Sequence, residues 1–348
     1  KVKIVHMTKY IQSTLAQLPD FFEDTIKLIE KEFEYPTHHS FLTDFYPLMG
    51  PLNHENCHIL IDEDKVIGHI AVKERTLSYK GSSTKVALIG AIALNEKYQQ
   101  QGNFTPFFNA IIERYSRKNA LLFLWSDLKP LYNRFNFFEA GGVIQTGKKK
   151  LLNENLPKDW EATQFVKLND NDFNKIKTLY KEQDLLTLER DESDWDQIKE
   201  ISSASLYIKR KNEEICSYFV KDKGNDLTGI IHEFVTKGNG TLEAIELFTD
   251  YQVWLPEVFN STFNKKDIFF SSFIRISNVE LLSTFLQSLT KDQVSVMSYK
   301  DKSVKAKYKE AEFDFSIEEF LTGLFGPNPI EEFSEIMPHL YIAGLDSI

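Results

Sequence analysis

Between Gln99 and Thr105 the chain reads Gln-Gln-Gln-Gly-Asn-Phe-Thr, a polar stretch between the apolar run "IGAIAL" and an amphipathic one. Where a strand gives way to a helix, the first N–H groups have no intrahelical partner and the helix dipole adds partial positive charge. Together they bind phosphate without a basic side chain. Gly102 lets the main chain come close to an anion. The spacing is neither GxxxxGK nor GxGxxG. The turn is therefore read as a pyrophosphate cradle of another type, and an ordinary connection is the bland alternative. Cys57 and Cys216 lack metal-ligand spacing. His38 and His39 are adjacent, so they do not share a face in a regular element, and they read as a solvated loop pair. His58 and His69 fall in strands and read as structural or exposed. No metal is expected.

The elements that must position this turn are set by periodicity. "LPDFFEDTIKLIEKEF" predicts a helix, and "CHILIDEDKVIGHIAVKERTLSYKG" predicts two antiparallel strands turning at Glu63-Asp64. Val86–Leu94 is a third, more apolar strand. Phe104, Phe107, Phe108, Ile111, Ile112 and Tyr115 form one helical face. "ALLFLWSD" is a short buried strand, Pro130 opens a short helix, and "FFEAGGVIQTG" returns as a strand. Lys148–Asp159 reads as a boundary. Beyond it the order helix, strands, helix recurs: "NDNDFNKIKTLYKEQ", then three strands from Ser205, then a helix over "NGTLEAIELFTDYQVWL". This fits an internal duplication. From Asp267 a further strand, helix, strand and helix come in turn.

The chain has 348 residues and a formal charge of −10. The length implies two or three domains. The charge argues against nucleic acid as a partner and is compatible with a cationic substrate. Two cysteines favour a reducing, cytoplasmic setting. No apolar run reaches the roughly 18 residues of a membrane span, and no signal-peptide pattern is seen.

"IGAIALNEKYQQQGNFTPFF" resembles the acetyl-coenzyme A motif of the GCN5-related N-acetyltransferase (GNAT) superfamily, (Gln/Arg)-x-x-Gly-x-(Gly/Ala) between a strand and a helix. Gln99, Gln100, Gln101 and Gly102 match it, and Phe104 stands at the Gly/Ala position. "LWSDLKPLYNRFNFFEAGG" resembles the second motif through Leu131, Tyr132, Arg134, Phe135 and Phe137, with Asn136 in place of Gly. A narrower likeness, to the enhanced intracellular survival (Eis) acetyltransferase family, rests on "WSDLKPLYNRFNFF", "LERDESDW" and "FIRISNVELL". It implies an α/β (α+β) architecture of tandem GNAT-like domains with a mixed, mostly antiparallel sheet. Residues 1–150 would be catalytic, 151–266 a second domain without the cofactor turn, and 267–348 a small sterol-carrier-like α/β domain.

The resemblance implies acetyl transfer from acetyl-CoA to a primary amine of a small or cationic acceptor. It also implies an oligomer. Ile92, Ala93 and Leu94 would pair with pantetheine as an added strand would. Gln99, Gln100, Gln101, Gly102, Asn103, Phe104 and Thr105 would hold the pyrophosphate, with Ser126 and Asp127 beside the pantetheine arm. An unperturbed phenol titrates near 10, so Tyr132 is the expected general acid. Ile348, through a terminal carboxylate, is the expected receptor for the acceptor's cation and proton. The rival expectation from another class is a non-enzymatic acyl-CoA sensor or scaffold.

Overall fold

In the computed structural model the described residues are 5–7, 10–147, 159–237, 251–263, 266–300 and 302–348. The first unit begins with β1 (Val5–Met7), β2 (Tyr10–Thr14) and α1 (Phe22–Glu32), then two short helices, α2 (Phe41–Asp44) and α3 (Tyr46–Met49). It continues with β3 (Cys57–Asp62), β4 (Lys65–Tyr79), β5 (Ser82–Leu94), α4 (Phe104–Ser116), β6 (Leu121–Leu124), α5 (Lys129–Asn133) and β7 (Phe138–Thr146). The strand and helix expectations over this region match these elements, and β3 and β4 form the expected antiparallel pair. Phe107, Phe108, Ile111, Ile112 and Tyr115 are buried on one face of α4, against Ile70, Val72, Ala87 and Ile89 of the sheet.

The second unit comprises β8 (Trp160–Thr163), α6 (Asp170–Lys181), β9 (Thr187–Leu188), α7 (Glu192–Lys199), β10 (Ser205–Lys211), β11 (Glu214–Lys221), β12 (Ile230–Thr236) and β13 (Gln252–Pro256). The sequence pattern predicts the end of a helix near Gln252–Pro256. This stretch is instead a strand, because Val253 and Leu255 alternate into a core with Ile144 and Ile231. The rest of that expected helix, with the expected absence of a cofactor turn there, lies on 238–250, outside the described residues. Most of the boundary expected at Lys148–Asp159 also lies outside them.

The remaining elements are β14 (Asp267–Ile276), α8 (Val279–Thr290), β15 (Val294–Lys300), β16 (Ser303–Tyr308), β17 (Ala311–Ser316), α9 (Ile317–Phe325) and α10 (Glu331–Ser334). Among the described residues the large sheet runs β1-β2-β3-β4-β5-β6-β14-β7-β13-β12-β11-β10-β8, with β9 against β4. It is mixed and mostly antiparallel. Its parallel pairs are β5/β6 and β12/β13, which recur at similar places in the two halves.

The boundary expected at Asp267 does not coincide with a break in this sheet. β14 pairs with β6 on one side and β7 on the other. It buries Phe273 on one face and Ile274 and Ile276 on the other, so it needs cover on both faces and partners on both edges. The elements after β14 pack as a layer on one face of the sheet: α8, the β15–β17 meander and α9 close over Val86, Leu88, Leu121 and Phe123.

Candidate active site

β5 lies along β4 for most of its length but pairs with β6 only over Val86–Ile89 against Leu121–Leu124. Beyond Ile89 the two strands part, and Gly90–Leu94 runs on past the end of β6. Within this stretch the β4 register slips: His69 opposes Ala93 and Ala71 opposes Gly90, so Ala91 and Ile92 together face only Ile70. Ala91 adopts φ +48, a bulge conformation. The bulge re-phases the strand. Ala87, Ile89, Ile92 and Leu94 all belong to the α4 layer, while Ala91 and Ala93 pack with Leu48 and Ile59 on the opposite side.

After Leu94, the side chain of Asn95 accepts a hydrogen bond from Lys97 N at 3.1 Å. Gln99 donates to Leu94 O at 2.8 Å, Gln101 to Lys97 O at 2.6 Å and Asn103 to Tyr98 O at 3.2 Å. All three side-chain amides fold back on the turn's own carbonyls and stiffen it. Gln100 and Gly102 have φ +57 and +80. A Cβ added at Gly102 would meet nothing within 4 Å, so the turn is open. α4 starts at Phe104 with no side-chain cap, leaving its first N–H groups available. Phe104 does not fill the turn: its ring stacks on Phe108 at 5.2 Å and meets Phe135 edge-on at 5.9 Å. Thr105 is exposed.

On the other side of the parting, β6 ends before Ser126 and Asp127. The Ser126 hydroxyl accepts from Leu128 N at 3.1 Å, turning the chain into α5, and Asp127 lies exposed beside it. Tyr132 on α5 is 4% exposed. Its ring packs against Phe108, Phe137 and, from β14, Phe273. Burial pushes its phenol up to about 12, partly offset by a hydrogen bond with the Ser126 side chain. Asn136 takes φ +60, which explains glycine at this place in the resembled motif and the tolerance of asparagine here. Arg275 of β14 donates to Phe135 O and fastens the end of this segment.

The residues after Met337 thread between the two halves. Leu186 N donates to His339 O at 2.9 Å, and Tyr341 N donates to Leu186 O at 2.9 Å. The Tyr341 hydroxyl donates to His232 O at 2.8 Å. Asp346 is fully enclosed. Arg190 grips it at 2.8 Å and grips Glu233 at 2.6 Å, and Arg75 of β4 adds a third contact at 3.1 Å. Burial would raise the Asp346 carboxyl, but Arg190 and Arg75 hold it below its usual range. Lys223 donates to Gly344 O at 2.9 Å and to Ser347 O. Burial brings its ammonium down to about 7 despite Asp346, Asp226 and Asp44 nearby. These contacts deliver Ile348 to the parted strands: a Cβ on Gly90 would lie 3.0 Å from the main-chain carbon of Ile348. Arg190 belongs to "LERDESDW", yet nothing in the sequence assigns it or Asp346 a role, because their pairing spans 156 positions.

His58 and His69 are buried, which disfavours their charged forms. Burial lowers His58 to about 3 and His69 to about 4. His58 bonds the Tyr115 hydroxyl at 2.9 Å. The His38 and His39 rings lie 4.5 Å apart and tilted in a loop, where His39 lies 3.6 Å from Asp44.

Residues 16–140 match the family described as acetyltransferase (GNAT) domain. This chain carries a GNAT acyltransferase domain. Solved structures of the same fold extend the likeness over almost the whole chain. A GCN5-related N-acetyltransferase from Anabaena variabilis is 14% identical, with a TM-score of 0.63, covering 98% of this chain and 100% of its own. Eis1 from Mycobacterium abscessus is 10% identical, with a TM-score of 0.59, covering 91% and 90%. A probable N-acyltransferase from Enterococcus faecalis is 12% identical, with a TM-score of 0.59, covering 89% and 86%. A comparison with curated protein sequences gives no match. In the GNAT domain, the open turn and the β5 edge lie in succession along one chain segment, and Tyr132 comes after β6 on the facing side.

Proposed function

We propose that the chain is an acetyl-CoA-dependent N-acetyltransferase acting on a primary amine of a small or cationic acceptor by direct transfer. The observation that supports this best is the run from the Gly90–Leu94 edge, beyond the reach of β6, into the open Gly102 turn and the uncapped start of α4. Acetyl-CoA supplies an activated thioester carbonyl. The main chain of Ile92, Ala93 and Leu94 pairs with the amides of its pantetheine arm, and one N–H polarises the carbonyl. The main chain of Gln99–Thr105 receives the pyrophosphate. Ser126 orients Tyr132, which stays protonated across the neutral range and donates its proton to the departing sulfur.

The second unit and the end of the chain form the acceptor wall. A narrow cleft is lined by Phe45, between α2 and α3, by Pro47 of α3, by Asp194 and Lys223 from the second unit, and by Ser347 and Ile348. Where Ile348 carries a free carboxylate, that group holds the acceptor's ammonium and passes its proton to water. The free thiols Cys57 and Cys216 suit a reducing cytoplasmic compartment. The test is a panel of polyamines, aminoglycosides and lysine derivatives incubated with acetyl-CoA, following thiol release. Turnover with at least one amine supports the reading. Tight coenzyme A binding with no release from any amine contradicts it.

A further inference from the structure

The geometry points to His69 as a positioning residue that holds the β5 bulge open and so aims the main chain at the thioester. The inference deepens the acetyltransferase reading and rests on it. His69 lies on β4, opposite Ala93. Its ring is wholly enclosed, and Nδ1 donates to Ala91 O at 2.8 Å. A carbonyl can only accept, so the proton sits on Nδ1. Nε2 is then a bare acceptor, and among the described residues it has no hydrogen-bond partner. A histidine buried with one nitrogen unpartnered carries a cost. The bond made by the other nitrogen is what this position keeps.

That bond reaches the residue whose backbone is strained. Alanine at φ +48 is disfavoured because its Cβ crowds the neighbouring carbonyl oxygen, and a regular β4/β5 ladder would remove the strain. It would also shift Ile92 and Leu94 to the other face of the sheet, and with them the main-chain groups that meet pantetheine. His69 stabilises the bulged register by capturing the Ala91 carbonyl that the slipped ladder leaves over.

The experiment compares the full-length wild type with His69→Leu, His69→Asn, Ala91→Val and the pair His69→Leu/Ala91→Gly. Each is titrated with coenzyme A and with adenosine 3′-phosphate 5′-diphosphate, its nucleotide portion. The ratio of the two affinities reads pantetheine pairing without requiring turnover, and nucleotide binding reports that the variant is folded. His69→Leu is expected to cut the ratio at least fivefold and kcat at least tenfold, with the nucleotide affinity unchanged. Ala91→Val attacks the same bulge from the other strand, because a β-branched residue resists positive φ, and is expected to do the same. His69→Asn restores a donor near Nδ1, and Ala91→Gly removes the strain, so both are expected to recover most of the loss. An unchanged ratio in His69→Leu or in Ala91→Val overturns the assignment. So does a loss that neither His69→Asn nor Ala91→Gly repairs, since the ring would then act only as packing. A wild type that binds coenzyme A no better than the nucleotide sinks the cofactor reading itself, and the His69 assignment with it.

Discussion

Tyr132 and Gly102 do different work and fail differently. Tyr132 is the proposed proton donor, and with its phenol pushed up to about 12 it stays protonated through any usable assay range. Activity is therefore expected to show no alkaline loss from this group below about pH 10. Tyr132→Phe keeps the ring contacts with Phe108 and Phe273 but removes the proton. It is expected to lower kcat about 100-fold, with coenzyme A affinity within twofold by calorimetry. Gly102 carries no chemistry beyond its conformation. Gly102→Ala meets no neighbour, but it takes positive φ at a cost of about 1–2 kcal/mol and places a methyl where the main chain would meet phosphate. Its expected signature is a rise in KM for acetyl-CoA of about tenfold with kcat nearly unchanged. Both residues are legible in the sequence because each sits in a short, contiguous pattern. Phe104 is legible as a departure from that pattern, but not its consequence. Only the packing on Phe108 and Phe135 places its ring away from the open turn.

Local elements of the first unit can be read because their burial follows one period each, as in the α4 face. The place of elements whose partners lie far away in sequence cannot: the strand expected from Asp267 is present as β14, but its position between β6 and β7 is not legible. β14 packs Phe273 on Tyr132 and donates from Arg275 to Phe135 O, so a strand after residue 266 holds the helix of the expected acid. The β16–β17 hairpin is not visible in the sequence pattern. Lys305, Lys307, Glu312 and Asp314 interrupt its apolar residues; Val304 and Ala306 are buried in the core, and Tyr308 and Phe315 pack against it. The segment after Met337 depends on Arg190, which is wholly buried between Asp346 and Glu233. Burial alone would lower the Arg190 pKa, but the two carboxylates raise it well above its ordinary value. Arg190→Met leaves both acids buried without their shared cation. The expected loss is about 3–5 kcal/mol in denaturant unfolding, accompanied by a fall in turnover as the Ile348 end loses its seat beside Gly90. Arg190→Met with unfolding unchanged would remove the latch from the account.

Across the whole molecule, one sheet joins both halves and the last residues cross between them, so the site depends on parts of the chain that are distant in sequence. The recurrence of a helix followed by strands beyond residue 159 is legible in the sequence. The seam is not, because β14 inserts between β6 and β7 from outside both halves. The same compactness makes the fold sensitive to acid. His58, His69 and His232 are buried neutral, with values lowered by burial to about 3, 4 and 4. Between about pH 4 and 6.5 the unfolded chain binds protons that the folded chain refuses, so stability falls as pH falls through that window. With three such groups the slope approaches roughly 4 kcal/mol per pH unit at its steepest, measurable by urea unfolding at pH 7, 6 and 5. A stability flat over that range would mean these rings are solvated.

The central claim is that the β5 edge and the turn after it receive an acyl-CoA. A crystal structure of the coenzyme A complex tests it most directly. The account predicts pantetheine amides paired with the main chain of Ile92–Leu94, the pyrophosphate on the N–H groups of Gly102–Thr105, and the sulfur within reach of the Tyr132 hydroxyl. Coenzyme A bound elsewhere, or a turn closed over Gly102 with β5 and β6 zipped beyond Ile89, would contradict it.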